Sequence, residues 1–583
     1  MTRRGKRFDS PVSLVSLAAQ VALGATLVLA PSALLAQRAL GPSDDATVVP
    51  KGMIRIGVQP TWGRANERFS DGLNGRLKGR AERLAIDYDV DSLNAARFEP
   101  LRAIQGSLQT LAGKTAIASS LGKLRVDYDV STVVMPITLE FGLTRRITLG
   151  AMIPYVRTRN EVSLIPNPGR NEGTMGINPA LQFAGARAQN LALHNQLGQA
   201  ITQLQNLLTT CAGSSDPACG AINADRARAQ ALATTGSAVA AAVVSVYGTK
   251  TGEGSRYAPV EGGALQKDII ARLAALSTDF GSFLGAPSGR TNWIDLKPVG
   301  APLMGYTDFT NIVTDPAYGI GADSLITFER ATVGDVEFGG KVLLYDGLGA
   351  RPPQRTDWRG VRLRLAVGGV YRLATAKVKS PDAFADFGSG DGSQDLEGRV
   401  FADVLVGRRF WTSVVARYGV QNADQQYLRI PDTPNAPFPA AYRRQYVARD
   451  LGDYWSAEIS PRLTLTDALM MSATYSVWQK GEDAYTGSFP VTNLAGQPVT
   501  LDASILNAGT ARNEHRLVAG FTYSTMAGYY RGRSALPLEV SYMVGQSMRG
   551  YGNVNKTFTQ AIGLRLYTRL WGTTENRPAR TRR

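Results

Sequence analysis

Cysteine and histidine are almost missing from this chain, with 2 of each among 583 residues. That scarcity excludes zinc fingers, thiol-redox motifs and histidine-rich metal centres, so neither a metal nor another cofactor is expected. Long apolar runs are also missing. Beyond residue 36 nothing approaches the ~20 apolar residues of a spanning helix, which excludes a polytopic helical membrane protein. Basic clusters interleaved with aromatics are absent, so nucleic acid is not an expected partner. A hydrophobic fraction of 44% with a charged fraction of 19% excludes a disordered chain.

What is present begins with an export signal over residues 1–36. Arg3, Arg4, Lys6 and Arg7 precede an apolar stretch from Val12 to Pro31, and cleavage is expected after Ala36. Export places Cys211 and Cys219 in an oxidising compartment, where they are expected to form a disulfide. The signal carries four basic residues and Asp9, so the mature chain keeps 60 basic and 47 acidic residues, net +13. In an exported protein such a balance suits lipopolysaccharide phosphates or an anionic solute.

The dominant pattern is period-two alternation in blocks of about ten residues, the mark of strands with one apolar and one polar face. Ile147, Leu149, Ala151, Ile153 and Tyr155 share one side of their segment. Val361, Leu363, Leu365 and Val367 oppose Arg362 and Arg364. A soluble sandwich and an outer-membrane barrel both produce this alternation. The export signal, the large polar connections and an even strand number favour an all-β transmembrane barrel of about 12 antiparallel strands. Strands are expected at 53–62, 123–141, 147–158, 334–345, 360–373, 398–407, 410–420, 453–465, 468–479, 514–525, 536–548 and 557–571. Short connections alternate with mostly long ones, which puts both termini at the periplasmic end and the surrounding partner in outer-membrane lipid and lipopolysaccharide.

Tryptophans give a partial girdle. Trp62 and Trp455 share the apolar face of their strands, Trp358 lies near an inner end, and Trp411, Trp478 and Trp571 require a bulge or point inward. Two segments break the strand pattern. Residues 93–113 carry Phe98, Leu101, Ile104, Leu108 and Leu111 at helical spacing. Residues 176–286 read as an α-helical insertion in an outer loop, with helices at 180–210, 221–247 and 264–284 and the disulfide pinning the first two. Ala231–Val246 is too short and too rich in Ala, Thr and Ser for a membrane span. The expected organisation is therefore signal (1–36), first barrel strands with a helical loop (37–175), helical insertion (176–286), remaining strands (287–572) and a basic tail (573–583).

Alternation also assigns the lumen. Glu140, Glu337, Lys341, Arg362, Arg364, Asp403, Arg417, Glu458, Glu539, Arg565 and Arg569 are expected to point inward, lining water or pairing across the bore. No Gly-x-Ser-x-Gly elbow occurs. His515 falls on the lipid-facing side, apart from Ser472, Ser476 and Ser541, so no catalytic residues are expected. Glu482-Asp483 reads as solvated loop carboxylates, and Gly388-Ser-Gly-Asp-Gly392 resembles a calcium loop only loosely, without the repeated nonapeptide pattern.

Pro136-Ile-Thr-Leu-Glu-Phe-Gly-Leu-Thr-Arg-Arg-Ile-Thr-Leu-Gly150, running on to Ile153-Pro-Tyr155, resembles the first periplasmic hairpin of outer-membrane channels named for phenol-degradation pathways. Gly334-Asp-Val-Glu-Phe-Gly-Gly-Lys341 is similar to a strand of the same family. The resemblance covers about a tenth of the chain. It implies a barrel that takes up hydrophobic or aromatic compounds. The insertion and the tail Arg577–Arg583 depart from it. As for any such barrel, the barrel-assembly machinery is an expected partner, although here twelve residues follow Trp571 where typical barrels end in an aromatic. Three functions remain open: a passive channel for small organic solutes, a barrel displaying its helical domain to a partner, and a barrel lipid hydrolase.

Overall fold

The computed structural model describes residues 44–570 apart from 170–172, 349–359, 408, 531–533 and 535. The export signal, the basic tail, Trp358 and Trp571 lie outside the described residues.

Twelve antiparallel strands close into a barrel. β1 runs over Met53–Val58 and resumes at Thr61–Ala65. β2 is Leu124–Gly142 and β3 is Ile147–Pro166. β4 runs over Phe328–Val333 and Glu337–Asp346. β5 is Val361–Arg372, β6 Asp395–Val406, β7 Phe410–Gln421 and β8 Tyr454–Thr464. β9 is Leu469–Lys480, β10 Arg512–Ser524, β11 Leu538–Tyr551 and β12 Phe558–Arg569. Each strand pairs with its sequence neighbours, and β12 returns to β1 from Met53↔Arg569 to Val58↔Leu564. All twelve expected strands are present, so the barrel reading holds over the sandwich.

The alternation has the expected sense. Leu139, Leu149, Phe338, Val400, Phe521 and Leu564 stand exposed on the outer surface. Charged residues on the opposite parity are buried inside. An apolar belt around a closed wall is the geometry of a barrel in a lipid bilayer, because every wall amide is paired and no sheet edge meets lipid. A closed twelve-stranded wall carrying this belt is an outer-membrane barrel.

The strands of the β2–β3 hairpin, 19 and 20 residues long, continue past the barrel at the end bearing the long connections. There they join a helical domain built from α1 (Gln105–Ala112), α2 (Ala184–Thr210), α3 (Arg226–Tyr247), α4 (Ala264–Leu284) and α5 (Tyr306–Thr314). Leu108, Leu197, Val243, Leu273 and Phe309 of these helices share one core with Val126, Tyr128 and Val130 of β2. The expected helix over 93–113 is instead a short turn at Glu99–Arg102 followed by α1, yet all five apolar residues that marked it are buried. α3 is long and apolar enough to cross a membrane by length and composition. Val239, Val243, Val246 and Tyr247 are instead buried in the domain. Gly236 allows that packing, since a Cβ there would lie 2.8 Å from the Phe280 ring. Cys211 and Cys219 form the expected disulfide, with Cα atoms 5.4 Å apart.

Candidate functional site

At the inner end of the barrel, residues Asp44–Pro50 enter the lumen without regular secondary structure. Four strands hold this segment. The Lys341 Nζ of β4 donates to Asp44 Oδ1 at 2.6 Å and to the Asp45 carbonyl at 2.8 Å. The Arg462 Nη1 of β8 donates to Asp45 Oδ2 at 2.9 Å. The Ala46 amide donates to both Asp403 oxygens of β6 at 3.2 Å, and the Val49 amide donates to Thr148 Oγ1 of β3 at 2.8 Å. Ala46 is buried with Leu343, Ala366, Phe401 and Val415 from the wall. Gly142 makes room, because a Cβ there would lie 2.1 Å from the Pro50 carbonyl oxygen. The segment is a plug made of the chain's own backbone.

The wall around the plug is a ring of paired charges. Arg364 reaches Asp403 at 3.0 Å and Ser413 Oγ donates to the same carboxylate at 2.7 Å. Trp411 lies between the guanidiniums of Arg364 and Arg462, at 4.9 and 4.5 Å from its ring centre. It therefore points inward, one of the two outcomes its parity allowed. Trp478 is likewise buried inside, against Tyr454, whereas Trp455 stands exposed outside.

A second charged level lies toward the outer end. Arg372, only 2% exposed, donates through Nε and Nη2 to Glu337 Oε1 at 3.0 and 2.8 Å and also bonds Asp395. Tyr454 OH donates to Glu397 Oε2 at 2.8 Å, and Glu397 pairs with Arg399. Arg417 donates to Glu458 at 2.7 Å. Buried ion pairs add little net stability, since desolvation offsets attraction, but removing one partner strands the other at several kcal/mol. The lumen is thus two charged levels, and between them lies a cavity of about 50 Å³.

Most of the lumen residues expected from alternation fall in these networks. Glu140 is bonded by Arg55, with Nη2 to Oε1 at 2.7 Å. Glu539 accepts from Tyr567 OH at 3.0 Å, with Arg565 at 3.9 Å. Arg362 and Arg569 have lumen parity but lie exposed at the inner ends of β5 and β12. Alternation would also have found Arg372, which has the parity of Arg364, and Asp395, Glu397 and Arg399, which have that of Asp403. An expected start for β6 at residue 398 cut off two of these. The plug carries no periodic signal.

Tyr475 OH and His515 Nδ1 lie 2.6 Å apart, within hydrogen-bond reach. Ser472, Ser476 and Ser541 take the opposite parity, inside the lumen, so the wall separates these serines from His515. Among the described residues no cluster of His, Cys, Asp and Glu suits a metal ion.

No family model and no curated protein matches this chain. Among solved structures, an outer-membrane channel from Pseudomonas putida F1 aligns at 8% identity over 90% of this chain and 99% of its own, with a TM-score of 0.37. The toluene transporter TodX of Pseudomonas putida aligns at 8% identity over 90% of each chain, with a TM-score of 0.20. The translocator domain of the autotransporter NalP from Neisseria meningitidis aligns at 8% identity over 95% of this chain and 97% of its own, with a TM-score of 0.27. Similarity at this level carries no argument about activity, and the barrel stands on its own strand pairing.

Proposed function

We propose that the protein is a passive outer-membrane channel for small organic solutes, closed in this conformation by its N-terminal segment. The observation that carries the reading is the plug. It is irregular and pairs in no wall ladder, and it is held by polar ties to four separate strands. Withdrawing it opens the inner bore without breaking any strand pairing. A barrel built only as a scaffold has no need of a lumen lined by water-compatible charges beneath a removable segment. The resemblance of residues 136–155 and 334–341 to phenol-pathway channels supports hydrophobic or aromatic compounds as the cargo. The same reading has the chain inserted by the barrel-assembly machinery and leaves no role for a catalytic pair.

Planar-bilayer recording tests this. Wild-type protein is expected to conduct weakly. Asp44→Ala/Asp45→Ala takes the carboxylates away from Lys341 and Arg462 and leaves them backbone carbonyl ties, so unit conductance should rise at least severalfold and shift toward anions. A correctly inserted barrel that stays silent in both forms, and whose liposomes do not swell in a panel of small organic solutes, overturns the channel and leaves display of the helical domain as the function.

A further inference from the structure

Three strands leave a bare strip on the lumen wall. Gly150 of β3 and Gly339 of β4 are direct register partners, and Gly368 of β5 pairs with Lys341 of β4. All three take the inward parity, where their neighbours carry Met152, Glu337 and Val370. With no Cβ along this strip, the 50 Å³ cavity opens between the charged levels. At about 10–15 Å³ per water, that is room for roughly four waters or one compact solute of about four heavy atoms.

The lining is apolar except for Thr148 and the charged groups at its ends. Met152, Val370 and Phe401 meet it with the glycine backbones, and Glu337 and Arg399 line it from the outer level. Both are buried, 3% and 5% exposed, and each has an atom without a hydrogen-bond partner: Glu337 Oε2 and Arg399 Nη1. They lie side by side, with Glu337 Oε2 3.8 Å from Arg399 Nη2. Of the inner-level charges that line the cavity, Lys341 is held by the plug and Glu140 by Arg55.

We infer that this cavity is a selecting site for a small uncharged solute that presents a hydrogen-bond donor beside an acceptor, the edge of a primary amide or an undissociated carboxylic acid. The donor would satisfy Glu337 Oε2 and the acceptor Arg399 Nη1, while the apolar remainder lies against Met152, Val370 and Phe401. A carboxylate would meet Glu337 with no proton to give. An ammonium would meet Arg399 with no lone pair. Either would leave one buried group unpaired, and such mismatches discriminate strongly in closed sites. The inference rests on the channel reading for its biological meaning, since the cavity sits in the proposed path.

Saturation-transfer NMR on the full-length protein in detergent tests it with acetamide, acetate and ethylammonium. Acetamide should give a saturable signal, and the two ions should need at least tenfold higher concentration. Glu337→Gln keeps an oxygen for Arg372 but turns Oε2, which makes no hydrogen bond, into a donor, so acetate should then outcompete acetamide. Gly150→Ala places a methyl in the cavity, its Cβ 3.2 Å from Glu140 Cγ, and should abolish acetamide binding while heat-modifiable gel mobility stays barrel-like. If Glu337→Gln fails to fold, Gly150→Ala decides alone. Absence of saturable acetamide binding to wild type, meaning the cavity holds water only, overturns the site. So does unchanged binding in Gly150→Ala, or an acetamide preference retained in Glu337→Gln. Conductance is measured separately, so a silent barrel that binds acetamide refutes the channel and keeps the site, and a conducting barrel that ignores acetamide does the reverse.

Discussion

Arg362 and Arg364 differ by two positions and share a strand face, yet they play different parts. Arg364 is tied to Asp403 and stacked on Trp411, deep beside the plug. Arg362 is exposed at the inner rim. Removing Arg364 leaves the Asp403 carboxylate without its guanidinium, a buried imbalance of about 3 kcal/mol or more. Arg364→Ala is therefore expected to loosen the plug, raise conductance and shift selectivity toward cations in planar bilayers, while Arg362→Ala leaves both unchanged. Equal effects from the two variants would show that the plug-side pairing does not control the bore. Asp71 illustrates a different residue-scale device, outside the membrane. Its carboxylate accepts from the Leu73 amide, Asn435 Nδ2 and Asn553 Nδ2, each at 2.8 Å, and so knits three outer connections. Burial pushes its pKa up, but these hydrogen bonds, with Arg76 nearby, outweigh burial and hold it below the ordinary carboxylate value. A depressed folded-state pKa contributes stability that is present above the unfolded value, near 4, and is lost as pH falls through the folded one. Amide exchange in residues 70–76 and 432–436 should accelerate below about pH 4. In Asp71→Asn, which costs about 1–3 kcal/mol locally, that pH step should vanish.

Among the elements, α2 and α3 depend most on a covalent constraint. The Cys211–Cys219 bond closes a short link, and loop-entropy arguments assign it about 2–3 kcal/mol. Cys211→Ser/Cys219→Ser should lower the melting temperature of the helical domain and leave barrel insertion intact, because no wall strand depends on that link. Loss of insertion in this variant would mean that the domain folds before the barrel. The wall strands carry their own test. Leu363 faces outward at 39% exposure and Arg364 faces the lumen. Cysteines at Leu363 and Leu566 should react with lipid-phase reagents, and those at Arg364 and Arg565 with water-soluble ones once the plug is released. The reverse pattern would turn the wall inside out and end the membrane-barrel reading.

Across the whole molecule, the strands, their spacing and their faces were legible in the sequence because alternation is a local property. A residue's side of the wall depends only on its parity within a strand, and the apolar parity is repeated twelve times. The same locality exposed the long helices, through runs rich in Ala, Gln and Leu with little proline, and the disulfide, through two cysteines eight positions apart in an exported chain. Only the tertiary structure decided what fills the bore. Asp44 and Asp45 meet Lys341 and Arg462 across 297 and 417 positions, and an irregular segment has no period to betray its target. Likewise Gly150, Gly339 and Gly368 become one bare strip only when register lays β3, β4 and β5 side by side. Alternation could place charges in the lumen, but whether each is satisfied, exposed at a rim or left with a free atom facing a cavity depends on distances between strands far apart in sequence, and those exist only once the barrel has closed.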